Sequence, residues 1–178
     1  MALSRPRKFE SEDELYEYAV GALARRMRSV AELKRLMRNR VEADTEIGQT
    51  LVELVIRRLK DQGYLNDAKY AAAYSAFRRE NERFGRLRVV TDLKAKGVHS
   101  EVIDKAVGDA YEDVDEEKQA RAYLARKRLQ KPCDQKQAAR IFRHLARAGF
   151  RSRTIFSILK KWDVDDETLV ALSESSEQ

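Results

Sequence analysis

The chain has 178 residues, of which 36 are Lys or Arg and 30 are Asp or Glu, so its formal net charge is +6. A single cysteine, Cys133, cannot form an internal disulfide bond, which excludes the disulfide-stabilised secreted domains. No apolar run approaches the roughly 20 residues that a membrane-spanning helix needs, and no apolar stretch follows the basic residues of Met1–Lys8. We therefore expect a basic cytoplasmic protein without membrane contact, for which a polyanionic partner is plausible.

Helix-forming residues dominate the chain, and its two prolines lie at positions 6 and 132. Apolar side chains recur at three- and four-residue spacing in nine segments, which predicts nine helices. The first helix is predicted over Glu12–Arg28 with a capping box at Ser11, and the second begins at a capping box at Ser29. We interpret the apolar residues of the nine segments as core: Leu15, Ala19, Leu23 and Met27; Leu33, Leu36 and Met37; Ile47, Leu51, Leu54, Val55 and Leu59; Tyr70, Ala73, Tyr74 and Phe77; Leu87, Val90 and Leu93; Val102, Ile103, Ala106 and Val107; Ala120, Tyr123 and Leu124; Ile141, Phe142 and Leu145; Ile155, Ile158, Leu159 and Trp162.

The helices repeat in groups of three. Asp13–Ala19 parallels Asp67–Ala73, and the second helices end alike at Leu36–Val41, Leu93–Val98 and Leu145–Phe150. In the last two copies a glycine lies where the chain leaves the helix with positive φ, whereas the first copy has an arginine there. The pattern predicts an all-α protein of three tandem three-helix, helix-turn-helix-like repeats that stack into an elongated, curved rod.

Five segments follow from this repeat. We expect an N-terminal arm, three repeats and an acidic C-terminal tail that is partly disordered. Their bounds are 1–10, 11–64, 65–112, 113–162 and 163–178.

Charge is distributed in blocks along the chain. Within the third repeat, residues 119–162 carry a net charge of +12, and a block of net charge −6 lies on either side. Arg140, Arg143 and Arg147 share one helical face that has no alternating carboxylates. Contact with nucleic acid or an acidic protein is favoured over a merely solvated face. The candidate residues for binding nucleic acid or an acidic protein are Arg25, Arg26, Arg28, Arg78, Arg79, Arg83, Arg86, Arg88, Arg126, Lys127, Arg128, Arg140, Arg143, Arg147, Arg151 and Arg153.

Residues that could support catalysis are sparse. His99, His144 and Cys133 lie in unrelated places and do not form a zinc-binding pattern. Gly85 and Gly97 are isolated, so no glycine-rich phosphate-binding loop is present. We expect no enzymatic activity, no cofactor and no metal site.

Four segments resemble the RecX family, the small regulators of the bacterial RecA recombinase. They are Ala22–Leu33, with its Arg-Ser-x-x-Glu-Leu core, Leu59–Ala71, Leu93–Val98, and Leu145–Phe150 followed by Ile155. Their order and spacing agree with the family over nearly the whole chain. The resemblance implies tandem three-helix modules without catalytic residues.

The resemblance also implies a partner. RecX proteins bind in the helical groove of the RecA–DNA filament, where they bridge neighbouring protomers. There they restrain filament growth, ATP hydrolysis, strand exchange and the repressor cleavage of the SOS response. We accordingly expect a monomer that inhibits the RecA filament in recombination and repair, and that contacts single- or double-stranded DNA weakly and without sequence specificity.

Two alternatives stay open at this stage. A free-standing helix-turn-helix DNA-binding protein would place a recognition helix in the major groove. The third helices of the first two repeats, around Leu51–Leu59 and Val102–Val107, carry few side chains suited to base edges. A helical adaptor that binds no nucleic acid is the other alternative.

Overall fold

A computed structural model describes residues 8–174, with side chains described through residue 172. These residues form ten α-helices and no strand, which confirms the all-α class. Part of the predicted N-terminal arm (1–7) and the end of the acidic tail (175–178) lie outside the described residues. The helices are α1 (Glu12–Arg25), α2 (Val30–Arg38), α3 (Glu46–Asp61), α4 (Asp67–Glu80), α5 (Arg86–Ala95), α6 (Ser100–Tyr111), α7 (Glu116–Arg126), α8 (Gln135–Arg147), α9 (Ser152–Lys161) and α10 (Asp166–Glu174).

The predicted capping residues begin the first two helices. The Ser11 hydroxyl accepts a hydrogen bond from the Glu14 amide, and Ser29 forms a complete capping box with Glu32 at the start of α2. Helix α1 ends at Arg25 rather than at Arg28, because Arg26 has extended backbone (φ −164°). The chain thereby reaches Ser29 in the extended conformation that an N-cap requires.

The two predicted glycine turns are present. Gly97 and Gly149 have φ values of +70° and +87°. The residues after them, Val98 and Phe150, donate their amides back into α5 and α8, and both side chains are buried. Each glycine therefore turns the following apolar residue into the core, as the sequence predicts.

The chain divides into two compact units. Unit 1 comprises the residues up to Ala71 together with Leu93–Ile103, and unit 2 comprises Ala72–Asp92 and the chain from Asp104 onward. In unit 1, α1, α2 and α3 pack around one apolar core that includes Leu15, Leu33 and Leu59. In unit 2, α7, α8, α9 and α10 share a second core, and the middle repeat is divided between the units.

Several apolar residues predicted as core are instead exposed. In α5 the buried positions are Val89 and Leu93, one helical turn apart, so that Leu87 lies on the solvent side. Sequence spacing identifies an apolar stripe but not how much of it a neighbouring helix covers. The exposed residues are Met27, Ile47, Leu54, Ala73, Phe77 and Leu87.

Helix α10 lies in the acidic segment that we expected to be partly disordered. The Asp165 carboxylate accepts hydrogen bonds from the amide and hydroxyl of Thr168. Asp165 thereby caps the N-terminus of α10. Leu169 and Leu172 pack against the core of unit 2. These two apolar residues allow most of this segment to fold despite its acidic composition.

Candidate functional site

Three of the sequence motifs meet in unit 1. The Ser29 hydroxyl donates a hydrogen bond of 2.6 Å to the carbonyl of Lys96, and the amide of Val30 donates one of 2.8 Å to the Asp67 carboxylate. A Cβ added to Gly97 would lie 2.5 Å from that of Ala31, so α2 and the end of α5 approach closely. We call this contact the first junction; it comprises Ser29–Glu32, Asp67–Tyr70 and Lys96–Gly97.

Glu32 is the centre of the first junction. Its carboxylate accepts hydrogen bonds from Lys96 Nζ (3.0 Å), the Tyr70 hydroxyl (3.2 Å) and the Ser29 amide (3.2 Å), and its side chain is only 10% exposed. Burial raises the pKa of Glu32, but the hydrogen bonds from Lys96 and Ser29 outweigh it and hold the pKa below its ordinary value. The polar groups here bond one another, so this junction stabilises the fold rather than offering charge to a partner.

A related contact lies in unit 2, where the loop after α4 meets the turn after α8. The Gly85 amide donates to the carbonyl of Ala148 (2.8 Å), and that of Leu87 donates to the carbonyl of Gly149 (3.2 Å). A Cβ on Gly85 would lie 2.3 Å from the Gly149 oxygen, and one on Gly149 would lie 2.1 Å from the Arg88 nitrogen. We call this contact, between Glu82–Arg88 and Arg147–Phe150, the second junction. Its two backbones approach too closely for any residue except glycine.

The two junctions correspond within the repeat but differ in their side chains. When Leu36 is aligned with Leu93, the capping residues Ser29 and Glu32 correspond to Arg86 and Val89. The second junction therefore has an exposed guanidinium where the first has a buried hydroxyl, and an apolar residue where the first has its central carboxylate. The second junction therefore has no carboxylate at the position of Glu32, and its one acid, Glu82, pairs with Arg126.

A cleft of about 440 Å³ opens beside the second junction, within unit 2. Arg86, Arg151 and Arg153 line it together with Glu112 and Glu116, and the guanidinium groups of the three arginines form no ion pair with a described carboxylate. The cleft is therefore bordered by three arginines that lack an ion pair within the described residues.

The polar walls of this cleft bond one another. The Glu116 carboxylate accepts from the Arg151 amide (2.9 Å) and the Thr154 hydroxyl (2.8 Å), and so supplies the cap that α9 lacks locally. The Tyr111 hydroxyl donates to the Phe84 carbonyl, and burial raises the pKa of this tyrosine. Glu116 and Tyr111 were missed by the sequence reasoning, because nothing in their local pattern indicates partners so far along the chain.

Some of the sixteen candidate residues have structural partners. Arg78 and Arg88 both contact Asp92, at 3.0 and 2.9 Å, and Arg126 contacts Glu82 at 3.0 Å. Arg79 bonds the Ala110 carbonyl and Glu80, Arg28 donates to the Ala22 carbonyl, and Lys127 lies over the ring of Tyr123. These six basic side chains therefore already have a partner within the chain.

The remaining candidates have no ion pair with a described carboxylate, and all are exposed. Those of α8 lie opposite the buried face of that helix, on the single face that their spacing predicts. Eight of these ten candidates lie in unit 2. The unpaired residues are Arg25 and Arg26 in unit 1, and Arg83, Arg86, Arg128, Arg140, Arg143, Arg147, Arg151 and Arg153 in unit 2.

The part of the chain that the structure describes contains no cluster of three His, Cys, Asp or Glu residues able to hold a metal ion. No described helix is both long and apolar enough to cross a membrane.

Comparison with known proteins shows what this chain is related to. It is 34% identical over 169 residues to the regulatory protein RecX of Myxococcus xanthus (strain DK1622), a match that covers 88% of this chain and 87% of the relative. It is 31% identical over 148 residues to the regulatory protein RecX of Pseudomonas putida (strain W619), covering 83% and 90%. The chain belongs to the RecX family. A sequence model for the second three-helix domain of RecX matches residues 66–107.

Solved RecX structures share this fold. One crystal structure of a regulatory protein RecX has a TM-score of 0.60 and 22% identity, covering 84% of this chain and 71% of that one. RecX from Lactobacillus salivarius has a TM-score of 0.58 and 19% identity, covering 85% and 96%. In this RecX chain, the motif residues Ser29, Glu32 and Tyr70 hold α2 against α4 and the turn after α5. The resemblance read from the sequence is confirmed, and those motif residues are part of the fold.

Proposed function

We propose that this chain is a non-enzymatic inhibitor of the RecA recombinase that binds in the groove of the RecA–DNA filament. Membership of the RecX family, whose relatives are named regulatory proteins, is the observation that carries this proposal. In this proposal the protein acts as a monomer. It restrains filament growth, ATP hydrolysis and strand exchange, and with them the repressor cleavage of the SOS response.

The charge distribution supports a polyanionic partner. The unpaired arginines of unit 2 lie on α8, in the cleft beside the second junction and in the turns after α4 and α7. A filament groove lined by nucleic acid and acidic protein offers phosphates and carboxylates, to which guanidinium groups bind in a forked geometry. Because these cations have no internal acid to displace, binding costs them little reorganisation.

The recombinase ATPase on single-stranded DNA tests this proposal. The purified protein should slow ATP hydrolysis in a concentration-dependent manner and shorten filaments seen by electron microscopy. A triple variant with Arg140, Arg143 and Arg147 changed to Glu should inhibit less, whereas a control with Arg38, Arg57 and Lys60 changed to Glu should inhibit normally. These control residues are exposed and have no described ion pair.

Other outcomes would favour the alternative functions. An unchanged ATPase and filament length would contradict the proposal. A footprint at one duplex sequence without recombinase would favour a stand-alone DNA-binding protein. No salt-sensitive binding to either DNA or filament would favour an adaptor that binds no nucleic acid.

A further inference from the structure

Five of the described helices end in the same turn. In each, the residue that follows the left-handed position donates its amide to the carbonyl five residues earlier, as in Leu129 to Leu124. This position favours glycine, because a side chain there is strained. The left-handed residues of the five turns are Gly63, Gly97, Arg128, Gly149 and Asp163.

Two arginines adopt this unfavourable conformation. Arg128 has a φ of 55° in the turn after α7, and Arg83 has a φ of 59° in the loop after α4. Asp163 is the third non-glycine residue with positive φ among residues 8–174, but Asp tolerates this region better than Arg does. Both arginines are exposed and have no ion pair or side-chain hydrogen bond with a described residue. No internal contact explains why arginine rather than glycine occupies these positions.

Helix electrostatics do not explain the two arginines either. A cation near a helix C-terminus is stabilising, but Arg79 and Arg126 already lie in the last turns of α4 and α7. Strained residues that the fold does not require are found preferentially at functional sites.

The ends of α4 and α7 are neighbours within unit 2. Arg126 forms an ion pair of 3.0 Å with Glu82, the residue before Arg83, and the rings of Phe84 and Tyr123 are 6.0 Å apart. Two carboxylates lie at the end of α4 and in the loop after it, and each already has a partner: Glu80 pairs with Arg79, and Glu82 pairs with Arg126. The two strained arginines therefore add unneutralised positive charge to one small surface.

We propose that Arg83 and Arg128 contact backbone phosphates of nucleic acid and are retained at a cost in stability. The inference rests on the proposed function and assigns its DNA contacts to the turns after α4 and α7. Phosphate is the favoured ligand because arginine binds it without regard to sequence, through a fork that needs no apolar surroundings. An acidic protein would instead need a shaped surface around its carboxylates.

Substitution by glycine separates the contribution of the arginine side chains to DNA affinity from the backbone strain that they impose on the fold. In Arg83→Gly, Arg128→Gly and the double variant, the strain is relieved, so the urea midpoint should equal or exceed that of the wild type. Affinity for a fluorescein-labelled oligothymidine, measured by anisotropy without recombinase, should fall about tenfold in the double variant. The slope of log Kd against log salt should decrease by about 0.7 for each phosphate that the variant no longer binds.

Two further variants test whether the loss of DNA affinity is specific to the side chains of Arg83 and Arg128. The Arg83→Lys, Arg128→Lys double variant keeps both charges and the strain but loses the forked geometry, so its affinity should lie between those of the wild type and the double glycine variant. Asp163→Gly relieves the same strain at a third turn but also releases Lys131 from its ion pair with Asp163, so oligothymidine affinity should stay equal or rise and should not fall.

Several results would overturn the inference. They are a wild type that does not bind oligothymidine, a double glycine variant within about twofold of wild-type affinity, or a urea midpoint below that of the wild type. An equal loss of affinity for poly-glutamate would assign the arginines to an acidic protein instead. Failure of the wild type to inhibit the recombinase ATPase would contradict the proposed function, whereas these measurements with DNA alone would still decide the role of Arg83 and Arg128.

Discussion

The first and second junctions lie at corresponding parts of the repeat but serve different purposes. Each joins the start of a second helix to a glycine turn, at Gly97 in unit 1 and at Gly149 in unit 2. Around Gly97 a buried carboxylate, Glu32, gathers the polar groups. Around Gly149 the contact is between backbones, and arginines remain on the surface. The comparison shows that a repeat can keep its packing geometry while exchanging a structural polar network for a charged surface.

The contrast between the two junctions also assigns a structural role to residues of the family motifs. The Arg-Ser-x-x-Glu-Leu segment carries the family resemblance in the sequence, and Arg25, Arg26 and Arg28 beside it are candidate binding residues. In the structure its serine and glutamate bind Lys96 and Tyr70, so two of its residues act in folding. The candidate binding surface lies instead where the corresponding positions are Arg86 and Val89.

The largest expected effect comes from filling the backbone contact of the second junction. Gly149→Ala would place a Cβ 2.1 Å from the Arg88 nitrogen at a φ of +87°. Left-handed strain and overpacking together should lower the free energy of unfolding by about 3 kcal/mol, measured by urea denaturation. Gly97→Ala should cost less, because its new methyl meets the Ala31 side chain and not a backbone atom.

Gly108→Ala is the matched control for Gly149→Ala in unit 2. Its Cβ would meet nothing within 4 Å, and the residue lies inside α6. We expect a gain of about 0.5–1 kcal/mol from improved helix propensity. Equal stability losses in the Gly108 and Gly149 variants would show that the close backbone approach is not what the second junction depends on.

Removing the central acid tests the first junction. Glu32→Ala leaves Lys96, Tyr70 and the Ser29 amide without their shared acceptor, so we expect a loss of about 2 kcal/mol in the free energy of unfolding. Glu53→Ala removes an exposed ion pair with Lys34 and should cost less than about 0.5 kcal/mol. Similar losses in the two variants would contradict a structural role for Glu32.

Lowering the pH should have a smaller effect on stability, through the contact between α7 and α9. Hydrogen bonds from Lys161, and then from Arg121 and Ser157, lower the pKa of Glu117 to about 2 from an ordinary value of 4.5. Because the folded-state pKa is depressed, this stabilisation is complete above pH 4.5 and is lost as the pH falls toward 2. Urea midpoints of Glu117→Gln should therefore depend less on pH in that range than those of the wild type, and parallel curves would contradict the assignment.

Local features of the sequence predicted most of the fold. Capping boxes and apolar spacing placed nine of the helices, and Gly97 and Gly149 marked two of the turns because their φ values follow from local geometry. The contact of Glu32 with Lys96 joins residues far apart in sequence, and no local pattern encodes it. The charge blocks located the basic surface, but only the structure separates paired arginines such as Arg78 from unpaired ones such as Arg86.

The most direct test is the affinity of a charge-reversal variant for the recombinase–DNA filament. Changing Arg86, Arg147 and Arg151 to Glu should weaken filament binding more than about tenfold, because these exposed cations have no internal partner. The variant should remain folded, with a urea midpoint lowered only slightly because Arg147 lies in the last turn of α8, and the Arg38, Arg57 and Lys60 control should bind normally. Filament affinity within about twofold of the wild type would show that the surface at the second junction is not the contact.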